Sequence, residues 1–409
     1  MFKKIKKCRL CKSTNIVDIL SLGSQKLTGI FPKKNEVDKV GGGPLSLVLC
    51  KKCQLVQLKH SYDLNKLYGK NYGYRSGLND SMVNHLKDKV KKLEKKYGLK
   101  KNQLVVDIGS NDATLLKSYS TKGISKVGID PTISNFSKYY TKEIIKIKNF
   151  FDYDILKNKI TQKAKIITSI AMFYDLEDPN KFVSDIYETL DDKGIWHFEQ
   201  SYMPLMLSLN SYDTICHEHL EYYSLTVVKK LLENNNLKII DVEFNQINGG
   251  SFAVTAAKKT SNIKPNNSVI KWILNNEKKL KLNSIATYKN FAKKMINHKI
   301  KLKKLILDLN KSGKLVYGYG ASTKGNVILQ FCKINNKIIE SIIEINEKKF
   351  NCFTPGTNIK IISANKIKKE PDYMLVLPWH FRDNIINKER NFLKKGGKLI
   401  FPLPEIEIY

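Results

Sequence analysis

A chain of 409 residues with 42% apolar, 10% aromatic and 27% charged residues is too long for one ordinary core and too apolar to be disordered, so two or three folded domains are expected. The formal net charge of +33 suggests nucleic acid, yet only Arg9, Arg75, Arg382 and Arg390 are arginine, and no basic-aromatic RNA motif accompanies the scattered lysines. The charge reads as solvated lysine faces that can steer an acidic small substrate, and nucleic acid is not expected as a partner.

The opening MFKKIKKCRL leads into no apolar segment, and no run of about 18 apolar residues follows anywhere. Neither a leader nor a membrane span is expected, and the cytoplasm is the expected compartment. Its reducing conditions leave thiols free for metal. CRLC supplies Cys8 and Cys11, CKKC supplies Cys50 and Cys53, and 38 residues separate the pairs. Two C-x2-C knuckles suit a closed tetrahedral Zn²⁺ site, which is structural because it keeps no open position. The long spacing requires the chain between the knuckles to fold out and return. Residues 1–65 are expected to form this zinc domain, and the isolated Cys216, Cys332 and Cys352 to be packing residues.

An α/β block follows over 66–262. LVVDIGSNDATLLKSY (104–119) reads as an apolar strand, a glycine turn and a helix, and KVGID closes a second strand on Asp130. This is the opening of a doubly wound sheet, with ligand expected at the carboxyl ends of the strands. Gly109 lets backbone approach the ligand, and Asp130 is placed for ribose hydroxyls. The turn lacks G-x-G-x-x-G and carries Asp107 and Asp112, with Asn111 between Gly109 and Asp112. Those acids repel a pyrophosphate and accept a cationic sulfonium with an amino-acid tail, so S-adenosylmethionine fits better than NAD. NFFDYD adds Phe151 and Asp152 at a third strand end, and IITSIAMFYDLEDP places Ala171 and Met172 at a fourth.

YDTICHEHLEYYS (212–224) brings His217, Glu218 and His219 together in a chain with seven histidines. A helical zincin site needs histidines four apart; here they are two apart, so proton transfer is the stronger reading. In an extended segment His217 and His219 share a face and Glu218 points away; a turn is needed to bring Glu218 and His219 inward together. The sequence leaves that choice open.

Residues 263–312 form a lysine-rich helical connector, with Phe291, Met295, Leu302, Leu305 and Leu309 on one face. Residues 313–409 return to strand–helix alternation. VYGYGASTKGNVILQF (316–331) sets Gly318, Gly320, Ser322 and Lys324 about a helix start, a better phosphate site than dinucleotide fingerprint because Thr323 stands where a third glycine belongs, and Tyr319 joins Ser322 and Lys324 as a candidate substrate contact.

Taken in order, the C-x2-C pairs, YGYRSGLNDSM, DIGSND, SYDTICHEHLEYYS, NGGSF, GYGASTKGN and PGT resemble the S-adenosylmethionine-dependent C-methyltransferases that act on nucleotide-linked keto-deoxysugars. The resemblance spans essentially the whole chain. It implies a Rossmann-like methyltransferase core between a small N-terminal four-cysteine zinc domain and a C-terminal Rossmann-like α/β domain that helps bind the nucleotide sugar. It implies an active site at Glu218 and His219 with the histidine favoured as base, and Tyr72, Tyr74 and Ser76 facing the sugar; Asn248 and Gly249 of NGGSF join the substrate side. Members often carry tyrosine where this chain has Cys216, which leaves the sugar's identity open. An enolate route to carbon methylation, at C-3 of a 4-keto sugar, is expected, with an O-methyltransferase of similar architecture as the alternative and a zinc nucleic-acid-binding protein or NAD oxidoreductase behind it. A monomer is favoured.

Overall fold

The computed structural model describes residues 2–63, 67 and 74–409. The N-terminal block contains β1 (Phe2–Lys4), β2 (Ile16–Lys26), β3 (Gly42–Cys50), β4 (Val56–Leu58) and β5 (His60–Tyr62). The hairpin of β2 and β3 does not turn tightly. Residues 27–41 leave its open end as an excursion and return where Leu27 N donates to Gly41 O (2.9 Å). The expected fold-out between the knuckles is this excursion.

The middle sheet is built from β6 (Leu104–Ile108), β7 (Ser125–Ile129), β8 (Ile144–Ile147), β9 (Ala164–Ile170) and β10 (Leu190–Ser201), all parallel, in the order β8-β7-β6-β9-β10. Every residue of β6 is buried, as expected of a strand covered on both faces. The order reverses beside β6, which puts the ligand crevice outside the carboxyl ends of β6 and β9. After β11 (Glu221–Tyr222), the strands β12 (Leu237–Asn245) and β13 (Ser251–Lys258) complete the sheet, β13 lying antiparallel between β10 and β12. β11 itself leaves this sheet and pairs with β4, extending the N-terminal sheet to the order β11-β4-β3-β2.

The helix Asp80–Tyr97 covers the middle sheet with Met82, Leu86, Val90 and Leu93, spaced three and four apart; Asn79 caps its start and Gly98 (φ 60°) ends it. The expected single connector is two helices, Asn267–Lys279 and Ile285–Lys311, broken at residues 280–284. Their partners differ. Ile270 and Ile273 join the core of the middle sheet, whereas Tyr288, Phe291, Met295, Leu302 and Ile306 join the core of the C-terminal sheet.

That C-terminal sheet contains β14 (Val316–Tyr319), β15 (Ser341–Ile343), β16 (Lys360–Ile362), β17 (Tyr373–Val376), β18 (Lys398–Phe401) and β19 (Glu407–Ile408), ordered β16-β15-β14-β17-β18-β19. The N-terminal block serves both neighbours. Its cysteines, Leu10 and Leu55 pack with the middle sheet, while Leu20, Leu27, Leu45 and Leu47 pack with the C-terminal sheet. Among the described residues no helix is long and apolar enough to cross a membrane.

Candidate active site

The two knuckles are built alike. Lys12 (φ 56°) and Gln54 (φ 71°) take left-handed conformations, and their N–H groups close the turns on Cys8 O and Cys50 O. The turns bring Cys8, Cys11, Cys50 and Cys53 together with all four Sγ atoms within 4.8 Å of one another. Cys8 and Cys53 are 3.5 Å apart and Cys11 and Cys50 3.4 Å. A tetrahedron of thiolates at the usual zinc–sulfur distance needs edges of roughly 3.8 Å, so this set fits Zn²⁺. Arg9, inside the first knuckle, donates to Leu58 O, Ser61 Oγ and Glu177 Oε2 and pairs with buried Glu221 of β11. The zinc turn is thereby tied to the strand that follows His219.

The first glycine turn lies at the carboxyl end of β6. Gly109 has φ +75°, and a Cβ there would sit 2.9 Å from Met172 Cγ; Asn111 and Ala171 are also left-handed. Asn111 N donates to Asp130 Oδ2 (2.9 Å), whose other oxygen accepts from Thr132 N and Oγ1. Asp107 is buried beneath the turn and accepts from Thr168 Oγ1 (2.6 Å); burial pushes its carboxyl up to about 7. Residues 74–78 lie across the turn. Ser76 N donates to Asn111 Oδ1, Gly77 N to Asp112 Oδ2, and Asn111 Nδ2 to Tyr74 O. Arg75 adds an ion pair to Asp112 (3.6 Å) and stacks on the Tyr139 ring, a role that one isolated arginine in the sequence did not signal. Three carboxylates around a close-approach glycine leave no place for a pyrophosphate and suit the cationic S-adenosylmethionine.

Not every expected residue joins this cradle. Asp152 caps the short helix Tyr153–Lys157 and pairs with Lys181, and Phe151 stacks edge-on against Phe182. Tyr72 lies outside the described residues.

The H-E-H segment is neither strand nor helix. A 3-10 turn at Tyr212–Thr214 is pinned by Tyr212 OH on His298 Nδ1 (2.9 Å) and by Trp379 Nε1 donating to Asp213 Oδ2 (2.7 Å). Beyond it the three side chains diverge. His217 is fully buried edge-on against Tyr62 of the N-terminal block, and burial lowers its pKa to about 4. Glu218 is buried against Gly29 of the excursion, where a Cβ would collide with its Oε1; its Oε2 has no partner, and burial raises its pKa. His219 remains partly open beside the Tyr174 ring, 4.3 Å between centroids. Its Nδ1 is 2.7 Å from Thr214 O. A carbonyl can only accept, so Nδ1 carries the proton and Nε2 keeps its lone pair. Burial and then the Lys324 ammonium hold the imidazole down to about 3. His217 is therefore separated from His219, while Glu218 and His219 stand where the three parts of the chain meet.

The C-terminal turn reaches the same junction. Lys324 Nζ donates to Asn248 O, and Gly249 (φ +82°) lies under the Trp379 ring. Asn326 Nδ2 donates to Thr28 O of the excursion (2.7 Å). Ser322 spends its hydroxyl capping its own helix, on Gly325 N, and Tyr319 OH turns away to Glu389. Thr28, Asp213 and Trp379 were not singled out in the sequence. Asp213 sits in the quoted stretch and Trp379 in LPWHF, but nothing local links positions so far apart.

Residues 8–68 match the model of a zinc binding domain, 79–242 that of a methyltransferase domain and 246–404 that of a C-methyltransferase C-terminal domain. The chain is 29% identical to the C-methyltransferase NovU of Streptomyces niveus, over 98% of this chain and 96% of the relative. Among solved structures it is similar to magnesium protoporphyrin IX methyltransferase from Synechocystis PCC 6803, 14% identical with a TM-score of 0.35 over 48% of this chain and 92% of that one. A second is an S-adenosylmethionine-dependent methyltransferase from Clostridium acetobutylicum, 12% identical with a TM-score of 0.33 over 43% and 92%. With its four-cysteine zinc site and its S-adenosylmethionine fold, the chain is an S-adenosylmethionine-dependent methyltransferase built from these three matched domains.

Proposed function

We propose that the enzyme methylates carbon on a nucleotide-linked keto-deoxysugar, at C-3 of a 4-keto sugar, drawing on a cytoplasmic pool. The observation that carries this reading is His219, held by Thr214 O with its Nε2 lone pair free at the junction of the three parts of the chain. S-adenosylmethionine supplies an electrophilic methyl group, and a carbon becomes nucleophilic toward it only after losing a proton next to a carbonyl. His219 is the base for that proton. Asp107, Gly109, Asn111, Asp112, Asp130, Ala171 and Met172 form the cofactor wall, with Asp130 on the ribose. Tyr74 and Ser76, in the segment lying across that wall, face the sugar, and Glu218 contacts its hydroxyls. On this reading residues 1–65 hold zinc, 66–262 the methyl-transfer core, 263–312 the connector and 313–409 the nucleotide-sugar domain. The similarity to a C-methyltransferase over nearly the full length of both chains supports carbon as the acceptor.

The test is incubation with methyl-labelled S-adenosylmethionine and 4-keto-6-deoxyhexoses carried on dTDP, UDP or GDP. The expected product carries the label on C-3. Label found only on oxygen overturns the reading. His219→Ala is expected to abolish turnover while S-adenosylhomocysteine still binds; retained turnover removes His219 from the base role.

A further inference from the structure

Resting on that reading, we propose that Lys324 of the C-terminal part is a catalytic residue of the methyl-transfer site: its ammonium holds the ketone oxygen of the sugar and the negative charge that develops there. The surroundings of Lys324 argue against the more obvious role of phosphate ligand. The turn before it is already filled by an acid, since Glu344 Oε2 accepts from Ala321 N (2.8 Å) and its Oε1 from Ile345 N and Asn346 N. Gly320 N is bonded to Ile343 O and Gly325 N to Ser322 Oγ. A phosphate arriving at this helix start meets the Glu344 carboxylate beside the turn.

Lys324 instead points across the junction to Asn248 O, at the tip between β12 and β13. Gly249, next to that acceptor, lies against Trp379 and His380; Trp379 holds Asp213 (2.7 Å), and the following residue, Thr214, holds His219 (2.7 Å). Two groups there stand ready for a ligand: Asp213 Oδ1 and His380 Nδ1 are buried without a partner. Glu218 and Asp213 are carboxyls and cannot stabilise a new anion, so an oxyanion formed beside His219 requires a cation.

The electron count follows. The C–H bond next to the ketone breaks and its proton goes to Nε2 of His219. The bonding pair becomes the C=C bond, and the carbonyl π pair moves to oxygen, against the Lys324 ammonium. The pair then returns as the carbon takes the methyl group, and the sulfur keeps the electrons of the S–CH3 bond. No proton is taken from Lys324 in the step; burial lowers its pKa and the neighbouring Asp213 opposes that.

The experiment separates proton removal from binding. Solvent-deuterium exchange at the carbon next to the ketone is followed by NMR on the dTDP, UDP and GDP 4-keto-6-deoxyhexoses, with S-adenosylhomocysteine present so that methyl transfer cannot occur. In Lys324→Met, exchange from bound sugar is expected to fall about 100- to 1000-fold, while the Kd of the corresponding nucleoside diphosphate stays within about threefold. Lys324→Cys is expected to be equally slow and to recover when 2-bromoethylamine rebuilds an ammonium at that position; this pair is read on one protein preparation, so a misfolded methionine variant does not decide the matter. Unchanged exchange in both variants overturns the proposal, as does a tenfold or greater loss of nucleoside diphosphate affinity with exchange from bound sugar intact. A wild-type enzyme that methylates only sugar oxygen and exchanges no carbon-bound proton overturns the underlying reading first, and the role of Lys324 with it.

Discussion

The two glycine turns share one plan and have opposite contents. Each follows the central strand of a sheet whose parallel strands run in the same order, β8-β7-β6-β9-β10 and β16-β15-β14-β17-β18. Gly109 and Gly320 have φ of +75° and +77°, and each N–H donates to the last residue of the second strand at 2.8 Å. An acid just beyond that strand, Asp130 or Glu344, takes an N–H from the turn. The first turn then runs through left-handed Asn111 and Ala113 into a single helical turn, Thr114–Lys117. The second enters a regular ten-residue helix capped by Ser322, with the Pro378 ring against Gly320 and Lys349 Nζ donating to Ala321 O. The first, crossed by residues 74–78, is the turn proposed to hold the cofactor. The second is lined by Glu344, Pro378 and Lys349 and sends Lys324 to Asn248 O.

The largest expected effect comes from removing what holds both units together. The N-terminal block contributes to both cores, and its knuckles carry Arg9 to Glu221. Chelation of zinc, or Cys8→Ser, is expected to remove cooperative unfolding of the whole chain rather than of the first domain alone. Calorimetry decides it: a single lost transition fits, and two undisturbed transitions for the remaining α/β units break this account of the N-terminal block.

The glycines come next. An alanine at either position must hold a left-handed backbone, costing about 1–3 kcal/mol, and its Cβ meets Met172 in one case and Pro378 in the other. Gly109→Ala is expected to weaken S-adenosylhomocysteine binding by at least about tenfold because the cradle itself shifts. Gly320→Ala is expected to lower the melting temperature with that affinity unchanged. Titration calorimetry on both variants makes the comparison, and equal losses of affinity would abolish the distinction between a cofactor turn and a scaffold turn.

The legibility of the molecule follows the same division between local and distant. Both turns, the buried run LVVDI and the four cysteines are local patterns, and their burial or clustering in the structure follows from them. The junction is not local. β11 pairs with β4, and Trp379 holds Asp213 across 166 positions; neither contact leaves a periodic trace in the chain. The H-E-H stretch shows the limit most clearly. Alternation places His217 and His219 together, whereas the turn at Tyr212–Thr214 and the pairing of β11 send His217 to Tyr62 and leave His219 at the site. The break between the two connector helices is hidden for a related reason: Leu280 and Leu282 continue the apolar pattern through residues that are not helical.

A gentler contrast uses the acids. Asp130→Asn removes a carboxylate proposed to hold a ribose, and charged hydrogen bonds of this kind contribute about 1.5–3 kcal/mol, so S-adenosylhomocysteine affinity should fall by about tenfold or more. Glu344→Gln keeps an acceptor for Ala321 N and should leave that affinity unchanged. The reverse ranking, read by the same titration, would assign the cofactor to the C-terminal turn.

The smallest effect is a slope against pH, and it asks whether the two units meet electrostatically at His219. Burial, and then the Lys324 ammonium, lower this imidazole from 6.5 to about 3. The folded chain therefore refuses a proton that the unfolded chain accepts. The stability due to neutral His219 is fully present above pH 6.5 and is lost as pH falls from 6.5 toward about 3. Lys324→Met removes the second cause and keeps the first, so the folded pKa should rise part of the way and the loss should end at a higher pH. His380 responds to burial and to the same ammonium, so denaturation curves alone sum the two. Nitrogen-15 NMR of the His219 ring separates them: its Nε2 should stay unprotonated to a lower pH in the wild type than in the variant. Identical titrations would show that the C-terminal lysine exerts no field on the base, leaving the two glycine turns related by architecture alone.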